Sequence, residues 1–262
     1  MLLVVVTAST ETGVIARAAA AAGLSVADIR YRTQGTLPRV LMSDVDGDRL
    51  AAIGERLDAL GFATLICDPR GTPTDAERVV AQSMRLETEG LVVIDGPGDE
   101  HPCAWTVIEA IQRGVRVTTV TTKEKTSERK FDVTRAVLSS GLILTRKEER
   151  EIIRKTETSE PFVLVERNDG EPDIVLYERR MNYRFLGRDM QPASRANLEE
   201  VVRRLRAAAP SAAYDDRVAR PGFITALPAT AADPVDLGLH LVALARRRAR
   251  ASRGGAGSAR DE

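Results

Sequence analysis

Short apolar runs alternate with helical patterns over the first third of the chain. Residues 2–6 are apolar throughout and too few for a helix, which predicts a buried strand. Residues 14–22 are mostly alanine, the strongest helix former, and Gly23 follows where a left-handed C-terminal cap is needed. Ser25 and Asp28 have the spacing of a capping box. This pattern predicts a strand followed by two helices.

The next forty residues repeat the alternation. Pro38 precedes Arg39-Val40-Leu41-Met42, which predicts a second strand. Asp46 or Asp48 can cap a helix that ends at Gly61, and its apolar positions have the spacing of three and four typical of one buried helix face: Leu50, Ile53, Leu57 and Leu60. Residues 62–67 predict a third strand. The predicted order is therefore strand, helix, helix, strand, helix, strand.

This first region resembles the C-terminal domain of the bacterial ribosomal stalk protein. The resemblance covers about a quarter of the chain and is carried by Gly23-Leu24-Ser25, Pro38, Val40, Leu50, Leu57, Gly61 and Ala63. It implies a small sheet covered by helices on one side. If the second helix is extended instead, the order of elements becomes that of a ferredoxin-like fold.

Beyond Pro73 the sequence favours strands and tight turns. Apolar residues alternate with polar ones on both sides of Glu89-Gly90, and Asp95-Gly96-Pro97-Gly98 is a turn signal. Residues 115–120 predict a further strand. Asp132 can cap a short helix closed by Gly141. Antiparallel strands are thus expected through most of this region.

Two further strands and a helix follow. Residues 162–165 and 174–177 flank Asp169-Gly170, a dipeptide typical of hairpin turns. Asn197 with Glu200 predicts a capping box for an amphipathic helix. A meander of strands ending in one helix is similar, in element order alone, to a pleckstrin-homology-like domain, with residues 123–144 as an insertion.

The sequence therefore predicts an α+β protein in three regions. Residues 1–70 form a small α/β sandwich, stalk-protein-like or ferredoxin-like, and residues 76–212 form a β-rich pleckstrin-homology-like domain. Residues 213–262 are an irregular tail with a terminal helix over about residues 233–250, where Asp233-Pro234 gives a cap and a first helical residue. We expect that helix to dock on the body and the chain from Gly254 onward to be disordered.

Composition narrows the functional classes. Lys and Arg together number 38 and Asp and Glu number 38, so no overall field attracts nucleic acid or an anionic membrane. Two cysteines, two histidines and no CxxC spacing predict no metal site and no cofactor. The absence of a signal peptide pattern or an apolar run of about 18 residues predicts a cytoplasmic protein. Arginine far exceeds lysine and alanine is abundant, which is typical of a GC-rich bacterial genome.

Asp44 and Asp46 are the sharpest catalytic candidates. In haloacid-dehalogenase phosphatases a nucleophilic Asp and an acid/base Asp stand two apart after a strand, and residues 40–47 are similar to that motif. That chemistry also requires a lysine and a further magnesium ligand, and the nearest lysine is Lys123. Helix capping and turn formation also account for aspartates at these two positions. We expect this structural role and not a catalytic one.

Three other groups of residues have weaker chemical signals. His101 and Cys103 could share one side of a strand, but a buried cysteine beside a surface turn is the expected arrangement. A basic loop could bind phosphate or an acidic partner, and it comprises Lys123, Lys125, Arg129 and Lys130. Arginines near the C-terminus follow an apolar stripe and could contact an anionic surface.

Because no set of polar residues combines the spacing and context of a catalytic centre, we expect a non-enzymatic regulatory or scaffolding protein. Its partner would be an unidentified protein, bound through strand edges, the basic loop or the region of Trp105. Neither nucleic acid nor a membrane is expected as a partner. Two alternatives stay open: a phosphatase using Asp44 and Asp46, and nucleic-acid or anionic-lipid binding through the basic loop or the tail.

Overall fold

The structure, a computed structural model, describes residues 1–131, 145–230 and 232–257, with side chains described in 1–117, 157–220, 222–230 and 232–252. The chain divides into two compact units. The first unit is Met1–Val115 together with Pro161–Glu262, and the second is Arg116–Glu160.

The protein has the predicted α+β class, with helices and two sheets. The described helices are α1 (Thr12–Ala22), α2 (Val26–Thr33), α3 (Gly47–Asp58), α4 (Ser194–Ala208), α5 (Pro221–Ile224) and α6 (Pro234–Gly257). The described strands are β1 (Leu2–Thr7), β2 (Arg39–Ser43), β3 (Ala63–Cys67), β4 (Val79–Leu86), β5 (Gly90–Asp95), β6 (Glu100–Ala104), β7 (Ile108–Phe131), β8 (Thr145–Arg167), β9 (Ile174–Tyr177) and β10 (Ala213–Asp215).

The small sheet has the order β2-β1-β3, and both strand pairs are antiparallel. Strand β1 is central and buried on both faces, as its uninterrupted apolar run predicts. Leu3 and Val5 pack with α1, α2 and α3 in one cluster. The observed element order confirms the prediction with two helices after β1, and the ferredoxin-like alternative is wrong because residues 26–33 are helical.

Local capping signals account for most helix ends in this region. Gly23 has a φ of 66°, the left-handed conformation that ends α1. Ser25 and Asp28 form the predicted capping box, and Asp46 is the N-cap of α3. The capping box predicted at Asn197 is wrong, because α4 already begins at Ser194 and the Asn197 side chain bonds the backbone of the preceding loop instead.

The larger sheet has the order β10-β7-β8-β9-β4-β5-β6. The predicted hairpins β4–β5 and β8–β9 are antiparallel, as is the β5–β6 pair. Strand β4 nevertheless pairs parallel with β9, and β10 pairs parallel with β7. The expectation of an all-antiparallel meander is therefore wrong at these two junctions, where strands distant in sequence meet.

Helix α6 packs against both sheets. Leu237 and Leu241 pack with Leu2 and Val4 on the second face of the small sheet. The next residues around the helix, which pack with the larger sheet, are Val235, Leu239 and Val242. The predicted docking of this helix is confirmed, although it runs to Gly257, and residues 258–262 lie outside the described ranges. Helix α6 contributes side chains to the cores of both sheets. The predicted domain boundaries near residues 70 and 212 stay predictions.

Strands β7 and β8 continue from the first unit into the second. Residues as far as Phe131, and again from Thr145, are in strand conformation. The prediction that residues 123–131 begin a charged loop is therefore wrong, since alternating polar residues with several threonines also suit an extended strand. The helix predicted after Asp132 lies outside the described residues.

Among the described residues, no single helix is long and apolar enough to cross a membrane. Helices α1 and α2 reach that length and hydrophobicity only together, as a pair bent by 104° at their junction.

Candidate functional site

Asp44 and Asp46 are held in a turn and a helix cap. Asp44 follows β2, its carboxylate accepts the Asp46 backbone N–H at 3.1 Å, and it pairs with Arg49 at 3.1 Å. Asp46 accepts the backbone N–H groups of Asp48 and Arg49 at the start of α3. The hydrogen bond from the Asp46 backbone is the main cause that lowers the pKa of Asp44. These contacts correspond to the expected structural role, and the neighbouring strands are antiparallel.

Both cysteines are buried free thiols. Burial raises the pKa of Cys67 to about 11 and also raises the pKa of Cys103. Cys103 lies in the core of the larger sheet, whereas His101 bonds Asp95, so the two do not form a dyad. Within the described ranges, no group of three or more His, Cys, Asp or Glu side chains could hold a metal ion.

Trp105 lies at the start of a short 3-10 turn after β6. Its indole Nε1 donates a hydrogen bond to the carbonyl of Glu87 at 3.2 Å, and its backbone N–H donates to the carbonyl of Glu89. The ring is half-buried and packs against the core of the larger sheet. Trp105 thus secures the β4–β5 turn, and its role in binding stays a prediction.

The predicted basic residues all lie on β7 in the second unit. Lys123, Lys125, Arg129 and Lys130 occupy strand positions, and their side chains lie outside the described ones. The structure therefore places their backbone on one strand. Whether they form a binding site stays a prediction.

The arginines near the C-terminus pair with acids of the same chain. The pairs are Arg246 with Glu166, Arg247 and Arg250 with Glu109, and Arg248 with Asp58. Glu166 and Gln112 are buried beneath α6, and burial is the main cause that raises the pKa of Glu166. These four arginines therefore help to dock α6, which leaves less cationic surface for an anionic partner than the sequence alone indicates.

A cleft of about 620 Å³ opens beside the first residues of β4. Arg78 and Gln82 border it from the β4 segment, and Asp95 and His101 border it from the β5–β6 turn and β6. Arg180, in the loop after β9, also lines the cleft. The parallel pairing of β4 with β9 brings the β9 loop to this position, so the cleft depends on the long-range sheet topology.

His101 and Asp95 form a fixed pair at the rim of the cleft. The ring nitrogen Nε2 of His101 lies 3.0 Å from Oδ2 of Asp95. The other oxygen of Asp95 accepts the backbone N–H groups of Gly98 and Asp99, which holds the turn in place. The hydrogen bond from His101 is the main cause that lowers the pKa of Asp95. Asp95 is therefore a carboxylate whose position is set by the turn.

Arg78 is almost completely buried, with 3 % of its side chain exposed. Its guanidinium pairs with Asp236 at 2.6 Å and with Asp75 at 3.2 Å, and it donates to the carbonyl of Pro73. Its Nε has no partner among the described residues. A buried donor without a partner costs free energy.

Arg180 is held over an aromatic ring. Its guanidinium carbon lies 4.0 Å from the centre of the Tyr177 ring. The Tyr177 hydroxyl donates to Asp75 at 2.5 Å, so one chain of contacts joins Arg180, Tyr177, Asp75 and Arg78. Sequence reasoning identified His101 and the Asp95 turn but missed both arginines. Nothing in the local sequence marks residues 78 and 180 as neighbours.

Comparison of the chain with protein-family models, with curated proteins and with solved structures gives no match.

Proposed function

We propose that this chain is a non-enzymatic regulatory or scaffolding protein that binds an acidic protein partner through the unit Arg116–Glu160. The observation that carries the proposal is the length of β7 and β8 relative to the strands beside them. We also propose a cytoplasmic location, consistent with two free thiols in the core.

The strands that flank β7 and β8 are short. All three residues of β10 pair with Ala110, Ile111 and Gln112, and the four residues of β9 pair with positions from Phe162 to Val165. Within Arg116–Glu160, β7 and β8 therefore have only each other among the strands that the structure describes. Each strand has an outer edge there with no described strand beside it.

Such edges favour binding. A two-stranded ribbon alone is marginally stable in water, and its outer N–H and C=O groups are a template for another strand. Addition of a partner strand would satisfy these groups and extend the sheet. The ribbon therefore gains stability from the contact that we propose.

The charge distribution indicates the chemistry of the partner. Arg116–Glu160 contains all five lysines of the chain, and its eleven Lys and Arg residues outnumber its eight Asp and Glu residues. In a regular strand alternate residues share a face. By this pattern, positions 123, 125 and 129 lie on the face opposite Glu124 and Glu128. Lysines also oppose nonspecific pairing of open edges, so we expect a partner strand with acidic residues at alternate positions.

The test uses the full chain and a triple variant, Lys123→Gln, Lys125→Gln and Arg129→Gln. A matched control changes Arg184 and Arg188 to Gln, since both are exposed and lie in the first unit. At physiological salt, cross-linking in a bacterial lysate followed by mass spectrometry should identify a protein that is retained by the wild type and the control and lost by the triple variant.

Other outcomes would overturn the proposal. No specific protein at physiological salt, or equal retention by the triple variant, contradicts it. Magnesium-dependent hydrolysis of p-nitrophenyl phosphate that disappears in Asp44→Asn would favour the phosphatase instead. A salt-dependent shift on RNA or on vesicles of anionic lipid, lost in the triple variant, would favour nucleic-acid or lipid binding.

A further inference from the structure

We propose that a cleft between the start of α1 and the end of α2, the α1–α2 cleft, binds a small phosphate monoester with a hydroxylated body, as in a sugar phosphate. The cleft lies within the first unit, so the proposal does not depend on the function proposed for Arg116–Glu160.

The α1–α2 cleft forms where β1 leads into α1 and α2 leads towards β2. Ser9 and Thr10 line it from the loop after β1, Ile15 from α1, Arg30 from the last turn of α2 and Gly35 from the loop that follows. Its volume of about 600 Å³ lies within the usual range of small-molecule sites. The cleft is therefore large enough for a sugar phosphate.

Two arginines without acidic partners favour an anion. Of the described residues that line the cleft, Arg30 alone is charged. Its side chain is exposed and has no hydrogen bond or ion pair with the part of the chain that the structure describes. Arg39 lies close by, since its Nη2 would be 3.0 Å from a Cβ built at Gly35. Its Nε donates to the carbonyl of Thr36 at 3.4 Å, and no described carboxylate pairs with it. An anion in the cleft would gain from both positive charges.

The charge balance favours a phosphate over a carboxylate. Glu11 and Asp28, the acids nearest in sequence to these residues, do not line the cleft. Glu11 is exposed, so solvent and salt screen its charge, and Asp28 accepts a hydrogen bond from the Ser25 hydroxyl at 2.6 Å. A phosphate monoester carries nearly two negative charges at neutral pH, whereas a carboxylate carries one. Two arginines therefore stabilise the phosphate more.

Uncharged donors are also available to the phosphate oxygens. The Thr10 hydroxyl and the Gln34 amide line the cleft, and neither side chain bonds another described residue. The Ser9 hydroxyl oxygen accepts the Glu11 backbone N–H at 3.2 Å, which leaves its own O–H to donate. Three phosphate oxygens can accept hydrogen bonds from these groups and from the guanidinium of Arg30.

The rest of the lining suits a hydroxylated body. None of the described residues that line the cleft is aromatic, so a nucleotide base has no ring on which to stack. The Thr33 hydroxyl donates to the carbonyl of Ile29 at 2.7 Å, and its oxygen can accept a hydrogen bond from a ligand hydroxyl. Leu37 and Ile15 supply apolar surface against the carbon skeleton.

Isothermal titration calorimetry of the full chain with glucose 6-phosphate at pH 7.5 tests the proposal. The variants are Arg30→Gln and Arg39→Gln, and the matched control is Arg56→Gln, an exposed arginine on α3 that does not line the cleft. We expect the wild type and the control to bind equally. Arg30→Gln should bind about tenfold more weakly or worse, because it loses a charge-assisted hydrogen bond. Arg39→Gln should bind about threefold more weakly or worse, because it loses a nearby charge. Circular dichroism confirms that each variant is folded.

Matched ligands test the head group and the body. Glucuronate has the same ring with a carboxylate and should bind at least about tenfold more weakly, and neutral glucose should bind more weakly still. Inorganic phosphate should compete with glucose 6-phosphate, because it shares the head group. Adenosine monophosphate should bind no more tightly than glucose 6-phosphate, because its base finds no stacking partner. Amide NMR shifts should concentrate at Thr10, Gln34 and Gly35.

Several results would overturn the inference. These are no binding of glucose 6-phosphate by the wild type at millimolar concentration, unchanged affinity in either cleft variant, and equal affinity for glucuronate. Tighter binding of adenosine monophosphate would contradict the hydroxylated body, and NMR shifts confined to residues outside the cleft would contradict its location.

Discussion

Replacement of Leu241 by alanine should destabilise the whole first unit. The Leu241 side chain is fully buried and packs with Leu2, Val4 and Cys67 on one face of the small sheet. Its truncation removes buried apolar atoms and leaves a cavity, which in comparable core positions costs about 2–5 kcal/mol. Domains of ordinary stability have a free energy of unfolding of about 5–15 kcal/mol, so a decrease of this size is readily measured.

Urea unfolding followed by circular dichroism measures the loss. Leu241→Met, which conserves most of the volume, should cost less than about 1.5 kcal/mol. Arg248→Ala removes an exposed ion pair with Asp58 and should cost about 1 kcal/mol or less. These two controls separate the effect of the cavity from a general effect of changing α6.

A second readout tests whether α6 couples the two sheets. Trp105 is the single tryptophan and packs against the core of the larger sheet, distant in sequence from Leu241. If the packing of α6 on both sheets makes them unfold together, the midpoint of Trp105 fluorescence in Leu241→Ala should fall with the circular dichroism midpoint. An unchanged fluorescence midpoint, or a total loss below about 1 kcal/mol, would refute the reasoning.

Three further predictions concern single positions. In Gly114→Ala the new Cβ would lie 2.2 Å from Cζ of Phe162, so we expect the free energy of unfolding in urea to fall by about 1–3 kcal/mol. A second change, Phe162→Leu, should restore part of this stability. An unchanged midpoint in Gly114→Ala would contradict this close approach. Asp46→Ala removes the N-cap of α3 and should cost about 1 kcal/mol in the same assay, whereas Asp46→Asn should cost much less; equal losses would argue against a capping role. Burial and, secondly, Arg247 lower the pKa of His240 from its usual 6.5, so the folded state favours the neutral ring. Its contribution to stability is present above pH 6.5 and is lost as the pH falls below it, and His240→Gln should flatten the fall in unfolding midpoint between pH 7 and 5; an equally steep fall in the variant would refute this assignment.

Local signals in the sequence predicted most elements of the first region. The apolar run of β1, the Gly23 cap and the Ser25–Asp28 capping box depend on hydrogen bonds and periodicity within a few residues, and all are confirmed. The hairpins around Glu89-Gly90 and Asp169-Gly170 are confirmed for the same reason. Prediction was wrong at Asn197, whose side chain bonds the backbone of Gln191 in the preceding loop instead of capping the helix.

Only part of the candidate cleft could be predicted from neighbouring residues in the sequence. The sequence marks His101 and the turn at Asp95, because both lie within one hairpin. The sequence gives no sign that Arg78 contacts Asp236, because these residues are 158 positions apart. Their ion pair is nevertheless one of the most buried among the described residues. The pairing of β4 with β9 and the packing of α6 bring these groups together.

The sequence by itself determined the class of the protein, the positions of most helices and strands, and the caps that end them, since these follow from interactions between near neighbours in the chain. The tertiary structure decided which strands pair in parallel, that one C-terminal helix packs against both sheets, and that two arginines and a histidine border one cleft. Such arrangements depend on the burial of apolar surfaces and charges contributed by distant segments, and only the folded chain places those segments side by side.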